Sequence, residues 1–431
     1  MDQPIRLGVL GTGRGKAFMH PADCTGFKLC AICDTNQERL NICKERYDTD
    51  GTLKTYTDYD EMINSGEIDA VVLCNYFNEH APFAVKALKA GLHVMSECIS
   101  NSTLAEGVEL CRAVEESGKI YMIAENYPFT KNRLEMKRLY ESGELGELMY
   151  GEGEYCHPMD VESTYRISPG EYHWRNQNPA TYYCTHAMGP VMYITGTVPK
   201  KVTGMAVKIK DQSYRGLEYR QQDPGGIILC QMDNGAVVRT IQGAVRVHSG
   251  ITQIYCTKGG ASIDRETGML TVWHSEVNNS PFPSTRTYSP NWPEHGDLAA
   301  RAGHGGGDFW TLFYFGEAIR SGEQPWFNVY RACAMSSIGI LAWKSIVSGG
   351  QTFDVPDYEN EEDRKKYEND TWCPFLKEGE DPAGKPPRTV SGWVPSEEAH
   401  QAAKAVWEKR HYWGLGWDGN VIDNSYANIK V

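Results

Sequence analysis

The feature that most narrows the fold is an alternation near the start of the chain. Five short apolar runs stand out: Ile5 to Leu10, Lys28 to Cys33, Ala70 to Cys74, Leu92 to Ser96 and Ile120 to Ala124. Helix-like stretches lie between them, among them Tyr59 to Ser65, Ala81 to Ala90 and Leu104 to Ser117, the last two closed by Gly91 and Gly118. Strands separated by helices pair in parallel through right-handed crossovers, which predicts a Rossmann-type, doubly wound nucleotide-binding sheet. Beyond about Asn132 the texture changes. A helix, Leu134 to Ser142, leads into β-type runs at Met149 to Cys156, Lys201 to Lys210, Gly226 to Met232, Ala236 to Val247, Thr252 to Cys256 and Leu270 to Trp273, and Asn234-Gly235 marks a tight hairpin. Phe309 to Ser321 and Val329 to Val347 read as helices, the second packing back on the nucleotide domain. The expected fold class is therefore α/β plus α+β. Residues 1–130 form the parallel-sheet domain, 131–358 an α+β substrate and oligomerisation domain on a mainly antiparallel open sheet, and 359–431 a C-terminal extension with a helix at Glu397 to Trp407.

Composition excludes several kinds of partner. Lys plus Arg number 43 against 56 Asp plus Glu, a net charge of −13, whereas nucleic acids and anionic membranes call for a basic footprint. A small molecule is the expected partner. No run approaches the roughly 20 apolar residues of a membrane span, and the first strand starts too close to Met1 for a signal peptide, so a cytoplasmic location is expected. The 13 cysteines are odd in number and scattered, as reduced thiols are; the one CxxC, Cys30-Ala31-Ile32-Cys33, reads as core packing. The aromatic-rich end (Trp393, Trp407, Trp413, Trp417) reads as packing or a subunit contact.

Gly11-Thr12-Gly13-Arg14-Gly15 stands where the first strand should turn into a helix, so that backbone N–H groups can approach a pyrophosphate without an intervening Cβ. Asp34, about 20 residues on at the end of the second strand, is placed to accept ribose hydroxyls and to repel a 2′-phosphate, which favours NAD over NADP. Asn75 and His80 follow the third strand and are expected to touch the cofactor. No metal is expected: His157 with Asp160, or His173 with His186, lack zinc-like spacing.

Further motifs carry a resemblance. Asp69-Ala70-Val71-Val72-Leu73, Glu79-His80, Ala84 to Gly91 and His93-Val94-Met95-Ser96-Glu97 resemble the Gfo/Idh/MocA family of sugar and polyol oxidoreductases. That family's Glu-Lys-Pro, whose lysine assists hydride chemistry and whose glutamate lies near the nicotinamide, is here Glu97-Cys98-Ile99. Glu125-Asn126-Tyr127, Glu152 to His157, Tyr183 to Pro190 and Gly303 to Asp308 resemble the family's NAD-dependent glycoside hydrolase branch, which includes α-N-acetylgalactosaminidases and also lacks the lysine. The resemblance implies that Glu125, Tyr155, Tyr183, His186 and His304 line a sugar site. Asn126, His157, Trp174 and Arg175 are assigned to the substrate side as well.

The chemistry so implied is hydrolysis by transient oxidation of a sugar at C3, removal of the acidified C2 proton, elimination, water addition and re-reduction, in place of two carboxylates flanking the glycosidic bond. Tyr183 and His186, three residues apart, can point into one pocket from the first turn of a helix at Thr185 to Thr195. His186 is expected to polarise or deprotonate the C3 hydroxyl, and Tyr155 or Tyr183 to handle the C2 proton, a phenol beside the nicotinamide ionising more easily than a free one. Glu125 ends the fifth strand, at the sheet edge where ligands bind. The alternative is an NAD-dependent sugar dehydrogenase that oxidises C3 without net hydrolysis, and a third class is a sugar-sensing module without turnover. The open sheet face of the second domain, together with the family resemblance, implies a homo-oligomer, dimer or tetramer.

Overall fold

A computed structural model describes residues 3–209, 219–220, 222–245, 249–275, 281, 284–380, 384–390 and 394–409. The first sheet comprises β1 (Ile5–Leu10), β2 (Phe27–Cys33), β3 (Lys54–Tyr56), β4 (Ala70–Leu73), β5 (His93–Ser96) and β6 (Tyr121–Ile123), all parallel, in the order β3-β2-β1-β4-β5-β6. That order reverses direction between β1 and β4, and the crevice beyond the carboxyl ends of these two strands is where open α/β sheets bind ligands. Strands β1 and β4 are almost wholly buried and apolar, as strands covered on both faces must be. Strand β3 is missing from the sequence reading because Lys-Thr-Tyr at a sheet edge carries no hydrophobic pattern. The helix Leu104–Ser117 is bounded by a capping box, Thr103 with Glu106, and by Gly118 at φ 64.

The second sheet has nine strands in the order β14-β13-β12-β11-β7-β10-β9-β8-β15, built from β7 (Leu148–Cys156), β8 (Pro199–Val207), β9 (Gly225–Met232), β10 (Val237–Gly243), β11 (Thr252–Cys256), β12 (Gly259–Ile263), β13 (Leu270–His274), β14 (Thr285–Tyr288) and β15 (Phe353–Asp354). It is mainly antiparallel, with β7 and β10 running parallel. The Asn234-Gly235 hairpin joins β9 to β10, Gly235 taking the positive φ of 87 that such a turn needs. Strands β12, β14 and β15 go beyond the sequence reading; β12 begins Gly-Gly and β15 has two residues, so neither announces itself. The far ends of the expected runs at Lys210 and Val247, and Trp393, Trp413 and Trp417, lie outside the described residues.

The helix Thr185–Thr195 is buried along its whole length against β7, and the helix Val329–Val347 lies between the sheets. On one side Ser336 Oγ accepts from the Ser100 N–H (3.1 Å); on the other, Ser345 Oγ accepts from the Gly204 N–H in β8 (3.1 Å).

Candidate active site

The cofactor side is built around Gly11. Its φ is 86, and a Cβ there would stand 2.4 Å from the Cys74 carbonyl oxygen, so only glycine lets β1 turn this close to the end of β4. Thr12 donates to Asp34 Oδ2 from its N–H (2.9 Å) and its hydroxyl (2.7 Å), which pins the buried carboxylate at the end of β2 against the start of the helix Thr12–Met19. Arg39 approaches the same oxygen at 3.4 Å. Gly13 faces the Arg39 guanidinium, and Gly15 lies against Val9, where a Cβ would stand 2.5 Å from Cγ1 and the helix would lift off the sheet. Asn75 lies just beyond β4 with both amide atoms buried and no hydrogen-bond partner. An orphaned amide beside a turn that excludes a Cβ suits a ligand rich in hydroxyl and phosphate oxygens, and NAD fits both. His80 is buried, its ring held to the Ile99 carbonyl oxygen at 2.9 Å, and burial pushes its pKa down. Arg14 donates to Glu97 Oε1 (2.6 Å) at the end of β5 and to Asp308.

The substrate side centres on His186, in the first turn of the helix Thr185–Thr195. Its Nδ1 donates to Glu125 (2.7 and 2.9 Å), so Nε2 is the acceptor for the Tyr183 hydroxyl at 3.2 Å. Glu125 is fully buried just beyond β6; the Tyr127 N–H (3.1 Å) and the Cys98 thiol (3.2 Å) also donate to it. Burial pushes the Glu125 carboxyl up, but the imidazole charge and hydrogen bonds outweigh this and hold it below the usual range. The Tyr127 ring stacks on His186 at 4.4 Å, and Tyr155 meets His186 and Tyr183 edge-on at 4.6 and 5.1 Å. Burial first, and then Tyr127 beside Tyr155 and Tyr155 beside Tyr183, raise the two phenols, so the protein alone holds both protonated.

The remaining assigned residues lie around this cluster. Trp174 stacks on Phe77 at 4.5 Å, Arg175 lies over Trp174 at 4.2 Å, and His157 is 5.8 Å from Tyr155. Asn126 and His304 both bond to Asp308. The structure thus places Glu125 and Asn126 beyond the carboxyl end of β6, Tyr155 and His157 at the end of β7, and His186 on the helix packed against β7.

Four participants escaped the sequence reading. Asp308 had a signal, standing four residues after His304 in a glycine-rich run, and Tyr127 is part of the Glu-Asn-Tyr motif. Arg133 had none: it is a buried cation beneath the Tyr127 ring (5.4 Å) that donates to the Gly250 carbonyl, Thr252 Oγ1 (2.9 Å) and Thr130 Oγ1 (3.0 Å), and burial lowers it to about 10. Cys98 occupies the lysine position of the Gfo/Idh/MocA motif. With Glu125 and His186 it forms a group whose ligand atoms lie within 4.8 Å of one another, the geometry of a metal site. Hydrogen bonds from the thiol and the imidazole to the carboxylate already account for that closeness, and burial raises the thiol well above its ordinary value, so it holds its proton.

A six-stranded parallel sheet with a glycine turn at its switch point, joined by a cluster of Glu125 from just beyond β6, Tyr183 and His186 from the start of a helix and Tyr155 from the second sheet, defines an NAD-binding enzyme of the Rossmann class. Residues 5–125 match the oxidoreductase family, NAD-binding Rossmann fold, and residues 239–364 match the glycosyl hydrolase 109 C-terminal domain. The chain therefore joins a Gfo/Idh/MocA-type NAD-binding domain to a glycosyl hydrolase 109 C-terminal domain. It is 24% identical to a glycosyl hydrolase family 109 protein of Shewanella pealeana, over 82% of this chain and 85% of that one. It is 26% identical to an α-N-acetylgalactosaminidase of Tannerella forsythia, over 83% and 86%. Among solved structures, an oxidoreductase domain protein from Kribbella flavida (TM-score 0.69, 18% identity, 82% of this chain and 100% of that one) and a levoglucosan dehydrogenase complexed with NADH and L-sorbose (0.68, 18%, 83% and 100%) share the fold.

Proposed function

We propose that the protein is an NAD-dependent glycosidase that cleaves α-N-acetylgalactosaminides or closely related glycosides by transient oxidation at C3. The observation that carries this reading is the Tyr183–His186–Glu125 chain of hydrogen bonds, which ends just beyond β6 of the parallel sheet, where Glu125 also accepts from Cys98, the neighbour of Glu97 that holds Arg14 of the cofactor turn. NAD bound there would supply a hydride acceptor at C3 and return the hydride at the end, so no net redox change occurs. Gly11, Thr12, Gly13 and Asp34 hold the cofactor, with Asn75 and Glu97 beside them.

Tyr183 is a protonated phenol whose hydroxyl donates to Nε2. As it accepts a proton from the sugar it passes its own to His186, and the buried Glu125 carboxylate stabilises the imidazolium that forms. This relay takes the C3 hydroxyl proton, and the protonated His186 keeps it until re-reduction returns it to the C3 oxygen. Tyr155, edge-on to both, accepts the C2 proton once the neighbouring ketone has acidified it, as it passes its own hydroxyl proton to the departing alkoxide. Addition of water and re-reduction run the same transfers backwards, and the residues end as they began. Trp174, Arg175, His157, Asn126 and His304 form the walls that orient the ring.

The test is incubation of purified protein with 4-nitrophenyl N-acetyl-α-D-galactosaminide in deuterated water without added NAD. Release of nitrophenol, deuterium at C2 of the product and no accumulation of NADH are expected. Steady NADH formation with the glycosidic bond intact would replace this reading with a dehydrogenase.

The second sheet presents Met205 (73% exposed), Leu229, Val237 and Tyr255 on exposed strand positions, which supports burial of that face in a homo-oligomer. None of the 13 cysteines, all of them among the described residues, is in a disulfide, which supports a reducing, cytoplasmic setting. No helix among the described residues is long and apolar enough to cross a membrane.

A further inference from the structure

Asp308, at the start of the helix Gly307–Ser321, is 1% exposed and receives hydrogen bonds from three separate segments. Arg14, from the cofactor turn, grips it with both terminal nitrogens (2.6 and 3.0 Å); Asn126, beyond β6, donates at 2.8 Å; and His304 donates from Nδ1 at 2.9 Å. Burial alone would push this carboxyl up, yet the Arg14 charge and the bonds from His304 and Arg14 hold it well below the usual carboxylate range. The loop before it is shaped around the carboxylate. A Cβ on Gly303 would stand 2.6 Å from Asp308 Oδ2, and His304, Gly305 and Gly306 follow at φ 53, 61 and 95, a conformation that a histidine adopts only when something holds it there. With Nδ1 turned to Asp308, the His304 ring leaves Nε2 for a ligand, and its side chain is 43% exposed. Arg14 in turn is shared between Glu97 and Asp308, so its charge is spent on holding the cofactor turn in place rather than left for a phosphate.

We infer that Asp308 is a positioning residue that ties the cofactor turn to the sugar-binding loop, so that loosening either one loosens the other. The inference rests on the proposed assignment of Arg14 to the NAD side and His304 to the sugar side. It requires effects across the tie: Arg14 must influence sugar binding without touching sugar.

The experiment uses holoprotein and three variants. NAD release is followed by mass spectrometry after dilution, with no sugar present, and KM is measured with 4-nitrophenyl N-acetyl-α-D-galactosaminide. Asp308→Asn removes the charge and turns an NH2 toward two of the four donors; it should speed NAD release and raise KM, each at least about tenfold. Arg14→Met should raise KM as well as speed NAD release. His304→Ala removes one of the four bonds on Asp308 and should raise KM and also speed NAD release, by about threefold. If Asp308→Asn releases NAD at the wild-type rate, or Arg14→Met leaves KM unchanged, the tie does not exist. A protein that never cleaves the glycoside would sink the glycosidase reading, while the substrate-free comparison of NAD release would still judge the grip of Asp308 on the cofactor turn.

Discussion

Replacing Glu125 by Gln isolates the part of the relay that is purely electrostatic. Oε1 accepts from His186 Nδ1 (2.7 Å) and from the Tyr127 N–H (3.1 Å), whereas Oε2 faces the Cys98 thiol at 3.2 Å. A glutamine whose carbonyl takes the Oε1 place keeps the first two bonds and turns its NH2 to the sulfur, which can accept weakly. The geometry survives and the charge does not. What is lost is stabilisation of an imidazolium formed 6% exposed beside a fully buried carboxylate. A hydrogen bond to a charged group contributes about 1.5–3 kcal/mol, and leaving a buried charge without its partner costs about 3–5 kcal/mol. Taking about 4 kcal/mol, at 1.36 kcal/mol per tenfold, kcat should fall about a thousandfold. KM should stay within about threefold, since no sugar contact is removed. The assay is initial-rate nitrophenol release at saturating substrate, with the circular dichroism melt as control. A kcat within about fivefold of wild type, with the fold intact, would show that His186 does not become charged during turnover, and the relay would have to be abandoned.

Three further outcomes are expected. Gly11→Ala meets the Cys74 carbonyl at 2.4 Å and adds about 1–2 kcal/mol of left-handed strain, so the variant should be purified without NAD and unfold at lower urea; wild-type NAD content would refute the cradle. Burial lowers the pKa values of His80 and His173, so the folded state resists protons that the unfolded chain accepts below about pH 6.5. Stability should be full above that pH and fall below it, by at most roughly 1.4 kcal/mol per pH unit for each histidine, and a urea midpoint that stays flat between about pH 7.5 and 5.5 would contradict this. Met205→Glu with Leu229→Lys puts charges on the exposed sheet face and should convert the oligomer to monomer by light scattering, whereas an unchanged mass would place the interface elsewhere.

Most of the Rossmann half was legible because the buried stretches of its central strands, Leu7 to Leu10 in β1 and Ala70 to Leu73 in β4, are apolar runs, and because the turns and caps that bound its helices, Gly11, Gly118 and the Thr103–Glu106 pair, are themselves local signals. In the second sheet the reading weakened where pairing is set by distant strands. Nothing in Gly259–Ile263 announces a strand, yet it is held between β11 and β13. The proposed catalytic cluster was reachable through short motifs, but its protonation in the protein alone was not: burial keeps the phenols of Tyr155 and Tyr183 neutral there, a property of the whole surroundings. Arg133 is the clearest omission, since its role depends on Gly250 and Thr252, more than a hundred residues away.

The helix Val329–Val347 has consequences for how the polypeptide is made. It bonds to Ser100 beside the first sheet and to Gly204 in the second, yet it leaves the ribosome after both. During synthesis the nucleotide-binding sheet must wait, with the surface that this helix covers still wet, until over two hundred further residues have emerged. A chain cut before residue 329 should therefore yield neither half as a stable fragment, and a nascent chain stalled there is where a chaperone would find the most exposed apolar surface.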